Sequence, residues 1–346
     1  MTIIWFVLIL GLIILVHEFG HFIFAKWAGV YVYEFSIGMG PKIWSKKGKN
    51  GETEYCIRAI PLGGFVSLAG EEVNDDKTVA KDRKLYNKNF IQRFFIMFAG
   101  AMNNFILCFV LLLVSAFIYG SVSQTPVINS VNEEYPAYEA GVKVGDTILS
   151  IDGDKVSSWS EVQLLIQTAK GEEIELALLG EDGNERVVKL TPEKVDNEDG
   201  TTSYVVGVGM GGKVEKGFFT SIKYAVKTTG SLFGLMLTTI KELFTGGVAV
   251  KELSGPVGIY SIVGEQAKQG LQSIMYLIAF LSINVGVINL IPFPAFDGGR
   301  ILFLIIEKIF KKPIPVKVEN TVNSIGFILL LLLMLYVTFN DILRLF

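Results

Sequence analysis

Apolar residues gather in four stretches that are longer than a soluble core requires: about 3–27, 94–119, 271–306 and 322–343. A helix of about 20 residues crosses a bilayer, so the pattern predicts about four transmembrane helices. The third stretch differs from the others. Pro292, Pro294, Gly298 and Gly299 interrupt it, so a helix broken at 292–299 is expected, with irregular backbone that must be buried in protein or line a cavity. The leading residues carry no basic side chain, and the first run ends in His17-Glu18 rather than at a small-residue cleavage site. That stretch is therefore expected to remain in the mature protein.

The segments between the apolar runs have patterns of their own. From about 30 to 92 the chain is polar and basic, and 55–68 reads as two short strands around a turn at Pro61-Leu62-Gly63-Gly64. This is either an ordinary surface hairpin or a membrane-associated one whose edge accepts an extended peptide as an added strand. From about 123 to 212, short β-rich runs (Val127-Ile128, 147–151, 174–178, 186–190) alternate with Gly/Asp turns, and 159–169 fits a helix. An inserted soluble α/β domain is predicted there. In 213–270, Phe219, Ile222, Val226, Phe233, Leu237, Ile240 and Phe244 recur every three to four residues, while Lys227 and Lys241 leave too short an apolar run to span. An interfacial or groove-covering amphipathic helix followed by a linker is expected.

The totals agree with this division. Of 346 residues, 51% are hydrophobic and 19% charged, and the mean hydropathy is +0.47, a profile of a polytopic membrane protein with one soluble insertion. A net charge of -3 gives no reason to expect nucleic acid as a partner. The two cysteines, Cys56 and Cys108, form neither a disulfide framework nor a C-x-x-C site. The basic 42–93 segment and the loop with Lys308, Lys311, Lys312 and Lys317 fall on one side of a four-span arrangement. Positive charge marks that side as cytoplasmic, which puts the inserted domain and both termini outside.

Chemistry concentrates in His17-Glu18-Phe19-Gly20-His21, which contains both histidines of the chain. Residues at i and i+4 share a helix face, so two imidazoles there can reach one metal ion, with Glu18 beside them as general base. Ionisable groups at lipid depth are functional by default; incidental histidines on a core helix or signal-peptide end are the plain alternative. Asp297, inside the broken span, requires a cation. It is either the carboxylate of a His₂-carboxylate zinc set or the partner of Arg300. Asn103 and Asn104 either join helices or touch the metal site.

Together these residues resemble the site-2 protease family of intramembrane zinc metalloproteases, in particular the bacterial RseP-type members with a single PDZ domain. The likeness is carried by His17 to His21, by Pro61-Leu62-Gly63-Gly64-Phe65-Val66, and by a PDZ-like run over 140–153. It continues through Ser254-Gly255-Pro256-Val257-Gly258-Ile259 and residues 289–300. The resemblance implies a Zn²⁺ cofactor held by His17, His21 and Asp297, with Glu18 catalytic. It also implies that Asn289 and Pro292 hold substrate, and that Gly63, Gly64, Phe65 and Val66 pair with an unwound substrate strand. The implied partners are single-span membrane proteins, anti-sigma factors or remnant signal peptides among them, and the lipid bilayer. The implied location is the bacterial cytoplasmic membrane. The PDZ-like domain lies outside, with Tyr204-Val205-Val206-Gly207-Val208 as the lip of its peptide groove. Many relatives have Pro where this chain has Ala101, so no role passes to Asn103 or Asn104. The competing reading is a non-catalytic membrane adaptor that gathers partners on its PDZ-like domain.

Overall fold

A computed structural model describes residues 1–49, 51–71, 77–122, 126–196, 202–211, 214–245 and 254–344. In chain order the elements are α1 (Thr2–Trp27), β1 (Val32–Lys47), β2 (Glu54–Leu68), α2 (Phe90–Tyr119), β3 (Ser121–Val122), β4 (Val127–Val131) and α3 (Pro136–Glu139). Next come β5 (Thr147–Ile151), β6 (Asp154–Lys155), α4 (Trp159–Thr168), β7 (Ile174–Leu179), β8 (Glu185–Leu190), β9 (Glu193–Asp196) and β10 (Thr202–Val205). The chain closes with β11 (Val208–Gly211), β12 (Val214–Glu215), α5 (Phe218–Thr245), α6 (Pro256–Gln269), α7 (Leu271–Asn289), α8 (Asp297–Phe310) and α9 (Val316–Leu343). They form two compact units, 1–115 with 225–346, and 116–224.

In the first unit, α1, α2, α7 and α9 are the described helices long and apolar enough to cross a membrane. The chain is a multi-pass membrane protein. Small residues bring its helices close, as packing in lipid favours. A side chain at Gly20 on α1 would run into the Ala99 carbonyl of α2, and one at Gly286 on α7 would meet the Phe105 ring of α2 at 2.6 Å. The Ser282 hydroxyl then joins α7 to α2, donating to the Asn104 carbonyl over 2.9 Å.

The third apolar stretch is broken, but at 290–296, earlier than expected, and Asp297 already opens α8. The prolines are the breakers, because each lacks an N–H and keeps its predecessor out of the helical region. Gly298 and Gly299 act as spacers: a side chain at either would collide with the Ile291 or Phe293 carbonyl. Two other expectations need revision. The segment 254–270, read as linker, contains α6, whose Val263 packs with Ile9 and Ile13 of α1 and Ile274 of α7. The last apolar helix starts at Val316, nearly two turns before 322.

The 55–68 segment does not fold on itself. β2 is a single 15-residue strand whose partner is the 16-residue β1. Phe35 of β1 stands opposite both Tyr55 and Val66, and Ser36 opposite both Cys56 and Phe65, so the two halves of β2 flank one stretch of β1. The bend between the halves falls near Gly63, which has φ +85°, a conformation natural only to glycine. Arg58 staples the sheet. Its Nε donates to Glu34 Oε1 and Ser36 Oγ, both at 3.0 Å, its Nη1 donates to the Gly40 carbonyl at 2.6 Å, and its guanidinium lies 4.9 Å from the Phe65 ring centre.

The second unit is built on a sheet of strand order β11-β4-β5-β7-β8, with β6 paired to β5. Its core joins Ile128, Ile148, Ile151, Leu176 and Leu178 of the strands to Val162 and Ile166 of α4. Ser158 caps α4, its Oγ accepting from Glu161 N at 3.3 Å. The 204–208 segment divides between β10 and β11, and the Gln167 side chain of α4 bonds both the N–H and the carbonyl of Tyr204. The ends expected for this domain, 123 and 212, lie outside the described residues, as does the side chain of Phe244.

Candidate metal centre

α1 sets His17 and His21 one turn apart with ring centres separated by 4.9 Å. Their Nε2 atoms are 3.2 Å from each other. The Oδ2 of Asp297, in the first turn of α8, lies 3.2 Å from His17 Nε2 and 3.3 Å from His21 Nε2. These three residues offer ligand atoms to one point. A tetrahedral zinc ion with bonds of 2.0–2.1 Å would separate its ligand atoms by about 3.3–3.4 Å, so the triangle fits. Asp297 Oδ2 is buried and makes no hydrogen bond with either ring, an orphaned charge that a cation would resolve.

Both rings are also held from behind. His21 Nδ1 is 2.7 Å from the Ile96 carbonyl, so it carries the proton and Nε2 keeps its lone pair. His17 Nδ1 is 3.3 Å from the Asn104 amide, whose Oδ1 is buried without a partner. An Asn amide can be turned by 180°. Turned so, Oδ1 accepts from His17 Nδ1–H, the orphan disappears, and His17 Nε2 is also free to ligate. Gly100 supplies the space, since a side chain there would collide with His21 Nε2 and lie 2.7 Å from His17 Nε2.

Glu18 is half-buried and lines a cavity of about 280 Å³ together with His17, His21 and Asp297. Of the residues expected to hold substrate, Asn289 and Val66 also line it, whereas Pro292, Gly63, Gly64 and Phe65 are not among its walls. A side chain at Gly64 would run into the Ser36 carbonyl and reach Glu18, and one at Gly63 would meet Met39 and Ile14, so both glycines keep β2 close to its neighbours. The Asn289 amide donates within its own helix, to the Val285 carbonyl at 2.9 Å. Arg300 pairs with Glu71, not with Asp297, which leaves the Asp297 carboxylate to the histidines. The two amides divide the readings open to them: Asn103 joins helices, donating to the Val16 carbonyl at 3.2 Å, while Asn104 touches the metal site. Glu71 and Gly100 carry no such signal in the sequence.

A second group, Glu34, Glu54 and Cys56, also converges. Lys42 pairs with both carboxylates and Arg58 with Glu34. Burial and the neighbouring Glu34 raise the Cys56 thiol above its ordinary range. The carboxylates are neutralised and the thiol stays protonated, so this is an ion-pair cluster.

A sequence model of peptidase family M50 matches residues 5–333. RasP of Bacillus subtilis strain 168, named as the regulator of sigma-W protease, is 35% identical over 100% of this chain and 99% of its own length. The zinc metalloprotease RasP of Bacillus licheniformis is 34% identical over 100% of this chain and 99% of its own length. CPE1693 of Clostridium perfringens, named as a candidate zinc metalloprotease, is 39% identical over 99% of this chain and 98% of its own length.

Proposed function

The chain belongs to peptidase family M50 and is an intramembrane zinc metalloprotease, and we propose that His17, His21 and Asp297 hold the zinc while Glu18 moves the protons of peptide hydrolysis. One observation carries this assignment: three donor atoms from two distant helices meet with edges of 3.2, 3.2 and 3.3 Å around an otherwise unpartnered carboxylate oxygen. Bound zinc supplies Lewis acidity toward water and the scissile carbonyl. Glu18, which lines the same cavity as the histidines, accepts a proton from the attacking water and delivers it to the departing amine. The Ile96 carbonyl and Asn104 fix the ring tautomers.

A transmembrane substrate hides its carbonyls in helical hydrogen bonds, so it must unwind before attack. The 64–68 half of β2 runs beside the cavity through Val66 and Leu68, which supports pairing of an extended substrate with that strand. Gly63, Gly64 and Phe65 would shape the strand, and Asn289 and Pro292 the facing wall. In this reading 1–122 and 271–346 are two halves of one membrane core. Residues 123–212 are a PDZ-like domain outside the bacterial cytoplasmic membrane, and 213–270 hold the amphipathic helix and α6. The basic loops support the orientation, and the strand–helix pattern of the second unit supports the PDZ likeness. The name of the Bacillus subtilis relative supports membrane-bound anti-sigma factors as one substrate class. Remnant signal peptides are the other.

The proton role is tested with Glu18→Gln. Zinc content should match wild type while cleavage of a single-span substrate falls by about 10²–10⁴-fold. Wild-type turnover in that variant would remove Glu18 from the mechanism.

A further inference from the structure

Arg300 stands one helical turn beyond Asp297 on α8 and is the one residue shared by three described cavities. These are the metal-facing cavity of about 280 Å³, a second of about 310 Å³, and an open one of about 610 Å³ against α9. Among the described residues lining the metal-facing cavity it is the only Lys or Arg. Its one partner there is Glu71, bonded through Nη1. A guanidinium has five N–H donors in a planar fork, so the described residues leave most of the fork unused, and 35% of the side chain remains exposed. The pair does not swing freely. Glu71 Oε2 accepts from Leu68 N at 3.3 Å, and the Glu71 carbonyl accepts from Asn320 Nδ2 at 3.1 Å. Arg300 is thereby tied to the end of β2 and to α9.

Hydrolysis breaks the peptide C–N bond, leaves the water oxygen on the carbonyl carbon as a carboxylate, and gives the amine its proton. A neutral amide enters and an anion must leave. A planar fork with unused donors matches a carboxylate in shape and charge. We propose that Arg300 binds the new C-terminal carboxylate of the cleaved strand and holds it at the junction where the metal-facing cavity meets the two outer ones. The inference rests on the metal site proposed above. It adds a product-binding residue that the hydrolysis itself does not require.

The test uses the full-length, zinc-loaded protein in detergent and two short apolar peptides, alike except that one ends in a free carboxylate and the other in a carboxamide. Each is measured as an inhibitor of single-span substrate cleavage. Wild type should prefer the carboxylate by about tenfold or more, the worth of a charge-assisted hydrogen bond. Arg300→Gln should bring that preference below about threefold, with Arg300→Lys intermediate because a point charge lacks the fork. Glu71→Gln, which removes the competing carboxylate and keeps Arg300, should strengthen the preference. An unchanged ratio in Arg300→Gln, or no effect of Glu71→Gln if Arg300→Gln does not fold, overturns the proposal. Zinc content is read in parallel for these variants and for His17→Ala. Full zinc retention in His17→Ala would defeat the metal-site reading, a result separate from the peptide ratio.

Discussion

At the scale of single residues, the sequence exposes chemistry that is local and conceals chemistry that depends on helix rotation. His17, Glu18 and His21 lie within five positions of one another, and helical spacing alone sets the two rings on one face. Asp297 was legible as a carboxylate needing a cation, but the choice between zinc and Arg300 required knowing that Glu71 engages the arginine. Gly100 was out of reach, and Asn104 stayed one of two alternatives, because nothing in sequence says which face of α2 meets α1. Gly100 now carries a sharp expectation. In Gly100→Ala the new methyl would lie 2.7 Å from His17 Nε2 and closer still to His21 Nε2. Neither ring can retreat, since both are bonded from behind. Zinc retention against a chelator should fall on the order of a hundredfold, with cleavage lost in parallel. Wild-type zinc affinity in that variant would mean that the rings do not ligate through these nitrogens.

At the scale of elements, turn chemistry predicted the bend in β2 but not its partner. Pro61 and Gly63 do mark a bend, yet the pairing is with β1, whose 16 residues showed no clean alternation in the sequence. The physical reason is Arg58. Its fork reaches Glu34, Ser36 and Gly40 while its face covers Phe65, and a long-range staple leaves no local pattern. Arg58→Ala should destabilise the sheet by about 2–3 kcal/mol, below the cost of breaking a fully buried pair because both partners are partly exposed. Arg58→Lys should recover only part of this. Burial pushes the Glu34 carboxyl up, but its bonds to Arg58 and Lys42 outweigh that and hold it below its ordinary value. A depressed carboxyl stabilises the fold above the unfolded value, near pH 4.3, and loses that contribution as pH falls through the folded one. Fluorescence of Trp44, on β1 and 51% exposed, should therefore report an acid transition below about pH 4. The step should weaken in Arg58→Ala, where Glu34 loses its guanidinium partner and keeps Lys42 and Cys56.

At the scale of the whole molecule, the zinc would join the first helix of the membrane unit to its last third, because its ligands are separated by 276 residues between His21 and Asp297. Spans and insertion were legible from hydropathy, which needs only composition over a window. The meeting of α1 with α8 was not, because it depends on close packing against α2, where Gly20 of α1 lies against the Ala99 carbonyl and Gly100 leaves room for both rings. A ligand that binds the folded state stabilises it by about 2.7 kcal/mol at a hundred times its dissociation constant. Stripping zinc should loosen what the ligands tie and spare what they do not. The second unit holds no ligand of the site and has its own core of Ile128, Ile148, Leu176 and Val162. Hydrogen exchange after chelation should therefore rise in the last two turns of α1 and the first turn of α8, and stay unchanged across β4, β5, β7 and β8. Restoring zinc should reverse the rise in wild type but not in Asp297→Asn, whose neutral amide is a poor ligand. Equal loosening of both units would show that chelation acts on the fold at large. No change in α1 or α8 would mean that the triangle of donors does not hold the membrane unit together.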